Sequence, residues 1–406
     1  MKLINKPTLV YAKEKIPENL TSSIFLAGCT PRENLDLEWR DKAIEILDNL
    51  NYEGVVFLPI DRNRESISFD FSRYKEQIDW ERQCCKLADK IVFWIPREFR
   101  LDFEMLGQTT NAEFGLYFNS NKLMIGSPDE AVANSYLKYL CKNEKDIFWY
   151  NNLEELLRAT VNSLNPVLRR GVECKIPEHI YSSSQFQNWY QSMKNNNNEL
   201  VDFEELYSWY MPKAKKLFLS VFKPSVYIRD EDRVKSNEFV VARTDMSYIC
   251  AYYRPGNEIL NSEIVLVKEF RTPVRNNKGY VYELPGGSSL KDNSSALETA
   301  SQELEEEIGL LVEPERFRFI DSRQSASTLC SHKINLYSVR LTKDEIDKVK
   351  IDSTNKITHG VREDTELTYS LVVTYRDILE GKYPVDFTNL GMIQLALFDF
   401  VRSSIL

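Results

Sequence analysis

What this chain has little of narrows its function first. It carries three histidines in 406 residues, at positions 179, 332 and 359. They lie far apart in sequence and form no histidine metal box. Seven cysteines, at 29, 84, 85, 141, 174, 250 and 330, follow no zinc-like spacing, and the adjacent pair at 84–85 falls inside a helical pattern. That argues against a zinc module or a disulfide scaffold and leaves reduced thiols, the pattern of a cytoplasmic protein. No apolar run is long enough to span a bilayer. The first ten residues, broken by Lys2, Lys6 and Pro7, lack the continuous apolar stretch of a secretory signal. A formal net charge of −9 argues against polymeric nucleic acid as a partner, because that needs basic patches. It leaves room for a small nucleotide whose phosphates are held by a divalent ion and a few arginines.

What is present is a globular composition, 43% hydrophobic, in a chain too long for one ordinary core. The N-terminal half alternates apolar runs with helical patterns. Ile24–Gly28, Val55–Leu58, Ile91–Trp94 and Lys122–Ile125 read as buried strands; Trp39–Leu50, Tyr74–Leu87 and Asn111–Asn119 carry helical spacing. Such alternation predicts a mainly parallel sheet covered by helices, with ligands gathering at the carboxyl ends of the strands. Gly28–Arg32, Asp61, Pro96–Arg100 and the loop to Thr109 fall there. Glu113 is placed in the first turn of its helix, where the dipole favours the ionised carboxylate. An ionised carboxylate is a competent nucleophile toward the anomeric carbon of a sugar. Thr110-x-x-Glu113 is equally a capping box, and the two roles are compatible.

In the C-terminal half, Tyr248–Tyr253, Ile264–Val267 and Val281–Leu284 read as strands, with Asn276–Gly279 as a hairpin turn. Met392–Leu406 is expected as a closing amphipathic helix. The most informative run is Glu298 to Gly309. At about 100° per residue, Glu303, Glu306 and Glu307 fall within roughly a 100° arc of one helix face. Leu297, Ala300, Leu304, Ile308 and Leu311 line the neighbouring arc, and Gly309 suits the left-handed end of the helix. Upstream, Glu283-Leu-Pro-Gly-Gly287 breaks a strand into a loop. Clustered carboxylates beside a Gly-rich turn supply hard oxygen ligands for Mg²⁺ and exposed backbone for a diphosphate. A charge run is otherwise a solvated face.

Two resemblances organise these residues. Phe25-Leu-Ala-Gly28, Trp39-Arg40, Gln77-Ile-Asp-Trp-Glu81, Ala88-Asp89, Phe93-Trp94-x-Pro96 and Thr109-Thr-Asn-x-Glu113-Phe-Gly115 resemble the nucleoside 2-deoxyribosyltransferase-like family across about residues 20–142. The resemblance implies Glu113 as the sugar nucleophile and Glu81 as the acid that handles the leaving base. It also implies substrate contacts from Gly28, Asp89, Asp102, Thr110 and Asn111, though a strand-start Asp89 has a structural alternative. Tyr74 and Trp80 read as core or helix-face aromatics. The second half of the acidic run, Glu303 to Leu310, resembles the signature of the Nudix hydrolases, Gly-x5-Glu-x7-Arg-Glu-U-x-Glu-Glu-x-Gly-U, with U a bulky aliphatic residue. The first half departs from it: Gln302 replaces Arg, the spacing from Gly287 is one residue too long, and Asn293 or Ser294 stands where the first Glu belongs. Phe270-Arg-Thr-Pro273 before the Glu-Leu-Pro-Gly-Gly run resembles the ADP-sugar pyrophosphatase branch, implying that Arg271, Glu283, Gly286 and Gly287 contact a nucleoside diphosphate sugar. In that branch a later loop brings a catalytic Glu, for which Glu363, Asp364 and Glu366 are all candidates.

The expected architecture is therefore α/β throughout. A nucleoside 2-deoxyribosyltransferase-like domain with a Rossmann-like parallel sheet and flanking helices is expected at 1–165. A helical and polar connector follows at 166–215, with the low-complexity patch Asn195–Asn198. A Nudix α/β/α sandwich on a mixed sheet is expected at 216–406. The expected function is bifunctional nucleotide processing. The first domain would cleave or transfer across an N-glycosidic bond, NAD being one candidate substrate. The second would hydrolyse a nucleoside diphosphate derivative such as ADP-ribose with Mg²⁺ or Mn²⁺ on Glu303, Glu306 and Glu307. The alternative is a second domain that only senses a nucleotide. A small nucleoside or nucleotide is the expected partner, with no polymeric nucleic acid and no membrane, and both resemblances imply a homo-oligomer.

Overall fold

The computed structural model describes residues 6–29, 39–62, 71–100, 103–105, 107–211, 216–288, 294–360 and 367–405. The chain divides into two compact units, Met1–Trp209 with Ser220–Phe239, and Tyr210–Leu219 with Val240–Leu406.

In the first unit, strands β1 (Thr8–Tyr11), β2 (Ser23–Gly28), β3 (Val55–Leu58), β4 (Lys90–Trp94), β5 (Leu123–Gly126) and β6 (Trp149–Tyr150) form one sheet in the order β1-β3-β2-β4-β5-β6. Every pairing in it is parallel. The central strands are continuous apolar runs because both faces are covered. Phe25, Ala27, Phe57 and Phe93 point to the face that packs Trp80 and Cys84 of α2 (Phe71–Leu87) and Phe114 of α3 (Gln108–Tyr117). Ile24, Leu26, Val56, Leu58 and Trp94 point to the other face, against α1 (Trp39–Asn49) and, after α4 (Ser135–Glu144), α5 (Leu153–Asn162). The stretch expected as a connector carries α6 (Glu178–Tyr181), α7 (Ser184–Asn195) and strand β7 (Glu199–Tyr210), which pairs with β8 (Leu217–Ile228). β8 pairs in turn with β9 (Arg233–Lys235). Phe186 of α7 stacks among Tyr190, Phe203 and Phe222, so the polar sequence there covers an aromatic core.

The second unit holds β10 (Val240–Arg243), β11 (Met246–Tyr253), β12 (Glu263–Phe270), β13 (Tyr280–Glu283), β14 (Gly286–Gly287), helix α8 (Ala296–Ile308), β15 (Arg318–Gln324), β16 (Lys333–Arg340), α9 (Lys343–Thr354), β17 (Thr358–His359), β18 (Thr368–Thr374), α10 (Tyr375–Leu379) and α11 (Phe387–Ile405). The main sheet runs β15-β16-β11-β12-β18-β17, with β13 pairing β12 and β14 pairing β11. β11 and β16 are parallel and the neighbouring pairs antiparallel, so the sheet is mixed. Side-chain alternation sorts β11 and β12 between two cores. Ile249, Ala251, Val265 and Val267 meet Ala300, Leu304 and Ile308 of α8. Tyr248, Cys250, Ile264 and Leu266 meet Ile393 and Leu397 of α11. Helix α8 is pinned at both ends: Ser295 and Glu298 form a reciprocal capping box, and Gly309 closes it at φ 72°. No helix among the described residues is long and apolar enough to cross a membrane, and all seven cysteines are free thiols.

Candidate functional site

In the first unit the chain leaves β2 toward β3 on one side, while β4 leads to β5 on the other. The cleft between the carboxyl ends of β2 and β4 is thus the reversal point where ligands settle in open parallel sheets. Gly28 sits there opposite Trp94. Its φ of +139° and the 2.0 Å that would separate a Cβ from the Trp94 carbonyl oxygen require glycine. Arg40 is buried beneath this edge, its Nε donating to the Leu26 carbonyl at 3.0 Å and its Nη2 to the Gly28 carbonyl at 3.0 Å. Gly107, left-handed at φ 57°, starts α3 without a side-chain cap.

Two carboxyl groups reach this region from adjacent helices. Glu81 comes from α2 and accepts from Gln77 Nε2 at 2.8 Å; Glu113 comes from α3. Burial pushes the Glu113 carboxyl up to about 7, the neighbouring Glu81 charge adds to the rise, and the Arg40 guanidinium opposes it. Burial also raises Glu81, against the Gln77 hydrogen bond and the Arg40 charge. This corrects the helix-dipole expectation. The helix begins at Gln108, so Glu113 lies in its second turn, and its surroundings favour the protonated form rather than the ionised one. Thr110 is not the N-cap; it is buried next to Gly107. Asn111 accepts a hydrogen bond from Arg97 Nη2, whose Nη1 donates to the Ala133 carbonyl at 2.7 Å.

Asp89 is not placed to meet a substrate. It is 4% exposed, and its carboxylate takes Arg169 at 2.8 and 2.6 Å, the Ser23 backbone N–H at 2.8 Å and the Glu178 backbone N–H at 3.1 Å. Its place is structural. Trp80 packs edge-on against Phe57 and donates to the Glu14 carbonyl, a core aromatic as its spacing suggests. Asp102, Glu363, Asp364 and Glu366 lie outside the described residues.

In the second unit the short strand β14 (Gly286–Gly287) packs against α8. Gly286 donates its backbone N–H to Glu307 Oε2 at 2.9 Å. The Glu303 carboxylate lies so close to Gly287 that an added Cβ would stand 2.3 Å from Oε1. Arg271 clamps two further carboxylates, Glu283 at 2.7 Å and Glu269 at 2.9 Å. Glu269 was not singled out by its sequence; its burial follows from the register of β12 against β13, which sets it opposite Val281. Burial drives the Glu307 carboxyl well above the usual range, and the charges of Glu303, Glu283 and Glu269 add to the rise. Hard oxygen donors under mutual repulsion suit a divalent cation, and Glu303 with Glu307 would hold it. The third expected ligand does not join them: Glu306 is exposed, and no three acidic, histidine or cysteine side chains among the described residues converge as a metal site. The open recess of about 550 Å³ around Tyr190, Lys194 and Arg229 is lined by none of these carboxylates.

Comparison with known proteins bears on part of the first unit. Residues 21–131 match the family model described as nucleoside 2-deoxyribosyltransferase like. This part of the chain is a nucleoside 2-deoxyribosyltransferase-like domain. The match spans β2 through β5, the strands that carry Gly28, Glu81 and Glu113 at or between them. No curated protein matches the chain. Among solved structures, one titled "Crystal structure of ADP compounds hydrolase" is similar at 14% identity and a TM-score of 0.33, over 51% of this chain and 95% of that one. A score that low carries no argument about this chain.

Proposed function

We propose that the protein processes nucleotides at two centres, with the first unit breaking an N-glycosidic bond. The reading rests on one observation above all. In a nucleoside 2-deoxyribosyltransferase-like domain, two carboxyl groups of raised proton affinity adjoin the switch point of the sheet. Paired carboxyl groups in unlike surroundings divide into nucleophile and acid. An ionised Glu113 oxygen attacks the anomeric carbon and forms a glycosyl ester. The C–N bond breaks with its electron pair going to the base, which takes a proton from Glu81. Water then displaces Glu113 and frees the sugar, or a second base does so and takes the sugar as a new nucleoside; in either case Glu81 takes back the proton the incoming group loses. Gln77 holds Glu81 in place, and Arg40 lowers the cost of ionising Glu113 in a partly dry cleft.

In the second unit the proposed activity is hydrolysis of a nucleoside diphosphate derivative such as ADP-ribose, in the manner of a Nudix hydrolase. A Mg²⁺ or Mn²⁺ ion held there would supply Lewis-acid chemistry. Glu303 and Glu307 would ligate it, Arg271 and Glu283 would orient the ligand, and the Gly286–Gly287 backbone gives close access. A second reading, that this unit binds a nucleotide without turnover and regulates the first, is favoured by the exposed Glu306 and by Gln302 in place of arginine. A homo-oligomer belongs to the same proposal and is checked by light scattering.

The test is product identification by mass spectrometry after incubation with nucleosides, nucleotides, NAD and ADP-ribose, with and without Mg²⁺. Free base without added metal supports the first centre, and AMP only with metal supports hydrolysis at the second. Calorimetric binding of ADP-ribose without AMP selects the sensor. Base release should also rise with pH through about 7, because only the ionised Glu113 attacks; a profile falling over that range would reject Glu113 as nucleophile.

A further inference from the structure

Opposite in charge to the carboxylates, a half-buried cation adjoins the residue that follows Gly287. Arg243, at the end of β10, donates from Nη2 to Ser288 Oγ at 3.1 Å, one residue beyond Gly287. Its guanidinium carbon lies 5.0 Å from the centre of the Phe218 ring. Its Nε is buried and has no hydrogen-bond partner among the described residues. No carboxylate among the described residues forms an ion pair with it, and the Arg271 charge works against its own.

The neighbouring strand entry repeats the pattern. Val241 bridges to Cys330, and Ser331 N–H donates to the Val241 carbonyl at 3.0 Å, which ties this segment to β10. Ser331 Oγ and His332 Nδ1 are both buried without partners among the described residues, and His332 is 8% exposed. Burial and the Arg243 charge keep His332 neutral by lowering its proton affinity, with Asp245 opposing. Three buried polar atoms without partners, one of them on the guanidinium itself, are costly unless something completes them. Arginine held over an aromatic ring and facing a turn of small residues is suited to a phosphate oxygen.

We infer that Arg243, with Ser288, Ser331 and His332, forms an anion subsite next to Gly286–Gly287 that takes a phosphate group of the diphosphate ligand. The inference rests on the reading of this unit as a nucleoside diphosphate site and assigns it a polarity. One end of the ligand is met through a cation on carboxylates, the other directly by a guanidinium. No divalent ion is needed at the second end.

Inorganic pyrophosphate, titrated calorimetrically into the full chain with EDTA present, tests it. Binding is expected without metal and should weaken as salt rises. Arg243→Gln should weaken it by about tenfold or more, and Arg243→Lys should keep part of the affinity. Ser288→Ala, which removes a single hydroxyl, should cost several-fold and guards against misfolding of the arginine variants. Wild-type affinity in both Arg243→Gln and Ser288→Ala, or no metal-free binding at all, overturns the subsite. Mg²⁺-dependent AMP formation from ADP-ribose, measured in parallel on the wild type, reports separately on the underlying reading. AMP formation with no effect of Arg243→Gln on pyrophosphate would refute the subsite alone.

Discussion

In the first unit the paired carboxyl groups project from two helices on one face of a parallel sheet, and Glu81 is steadied by the side chain of Gln77. In the second, Glu307 is steadied by a backbone N–H, and Arg271 holds the two neighbours, Glu269 and Glu283. Both arrangements raise a carboxyl's proton affinity by burial and like charge. They differ in what relieves the repulsion. A buried arginine beneath the strand ends moderates the first, so that a proton can come and go near neutrality. In the second, Arg271 pairs with Glu269 and Glu283, and the proposed divalent cation would sit on Glu303 and Glu307. On the proposed function, the contrast separates a centre for proton transfer from one for a charged ligand.

The sharpest break in the comparison comes from an ion pair buried on both sides. Arg169 and Asp89 are both buried and paired at 2.6 Å, so Arg169→Met should cost the first unit about 3–5 kcal/mol by stranding the aspartate. Denaturant unfolding followed by tryptophan fluorescence measures it, and the second unit's transition should stay in place. Glu113→Gln should act in the opposite sense. Its folded-state proton affinity is raised from the ordinary 4.5 to about 7, so its ionisation takes stability away as pH climbs between those values. The variant should be more stable than wild type at pH 8, on the order of 2 kcal/mol, and no different below pH about 4.5.

On the other side, Mg²⁺ at about ten times its dissociation constant should add about 1.4 kcal/mol, a few degrees in the melting temperature of the second unit. Glu303→Gln or Glu307→Gln should remove that gain, while melting of the first unit should not respond to the ion. The smallest effect is expected of Gly287→Ala. Its Cβ would stand 2.3 Å from Glu303 Oε1, but that is the tip of a flexible side chain. About 1 kcal/mol or less of stability should be lost, together with much of the Mg²⁺ response; an unchanged response would show that Glu303 does not contribute there.

Much of this was legible in the residues. Val55–Leu58 is a strand because a continuous apolar run needs two covered faces, and the structure gives the same bounds. Gly309 closes α8 in the left-handed region its position calls for. Local signals also misled. Thr110-x-x-Glu113 has the form of a capping box, yet Gly107 begins α3 three residues earlier because the chain turns tightly against Cys29. Long-range pairings left no local trace. Asp89 and Arg169 are 80 positions apart, and the burial of Glu269 depends on strand register. Arg243 looks like any arginine on a strand until the partners it lacks are counted. Edge strand β1 escaped notice because only Val10 of its four residues is buried.

The division of labour between the two centres is tested most directly in one paired assay of the Glu113→Ala chain, reading free base and AMP from the same Mg²⁺-containing reaction. Base release should fall at least a thousandfold ("~10³") while AMP formation from ADP-ribose persists at the wild-type rate. Loss of both products by a chain that still shows the wild-type circular dichroism would contradict two independent centres, as would base release that continues undiminished.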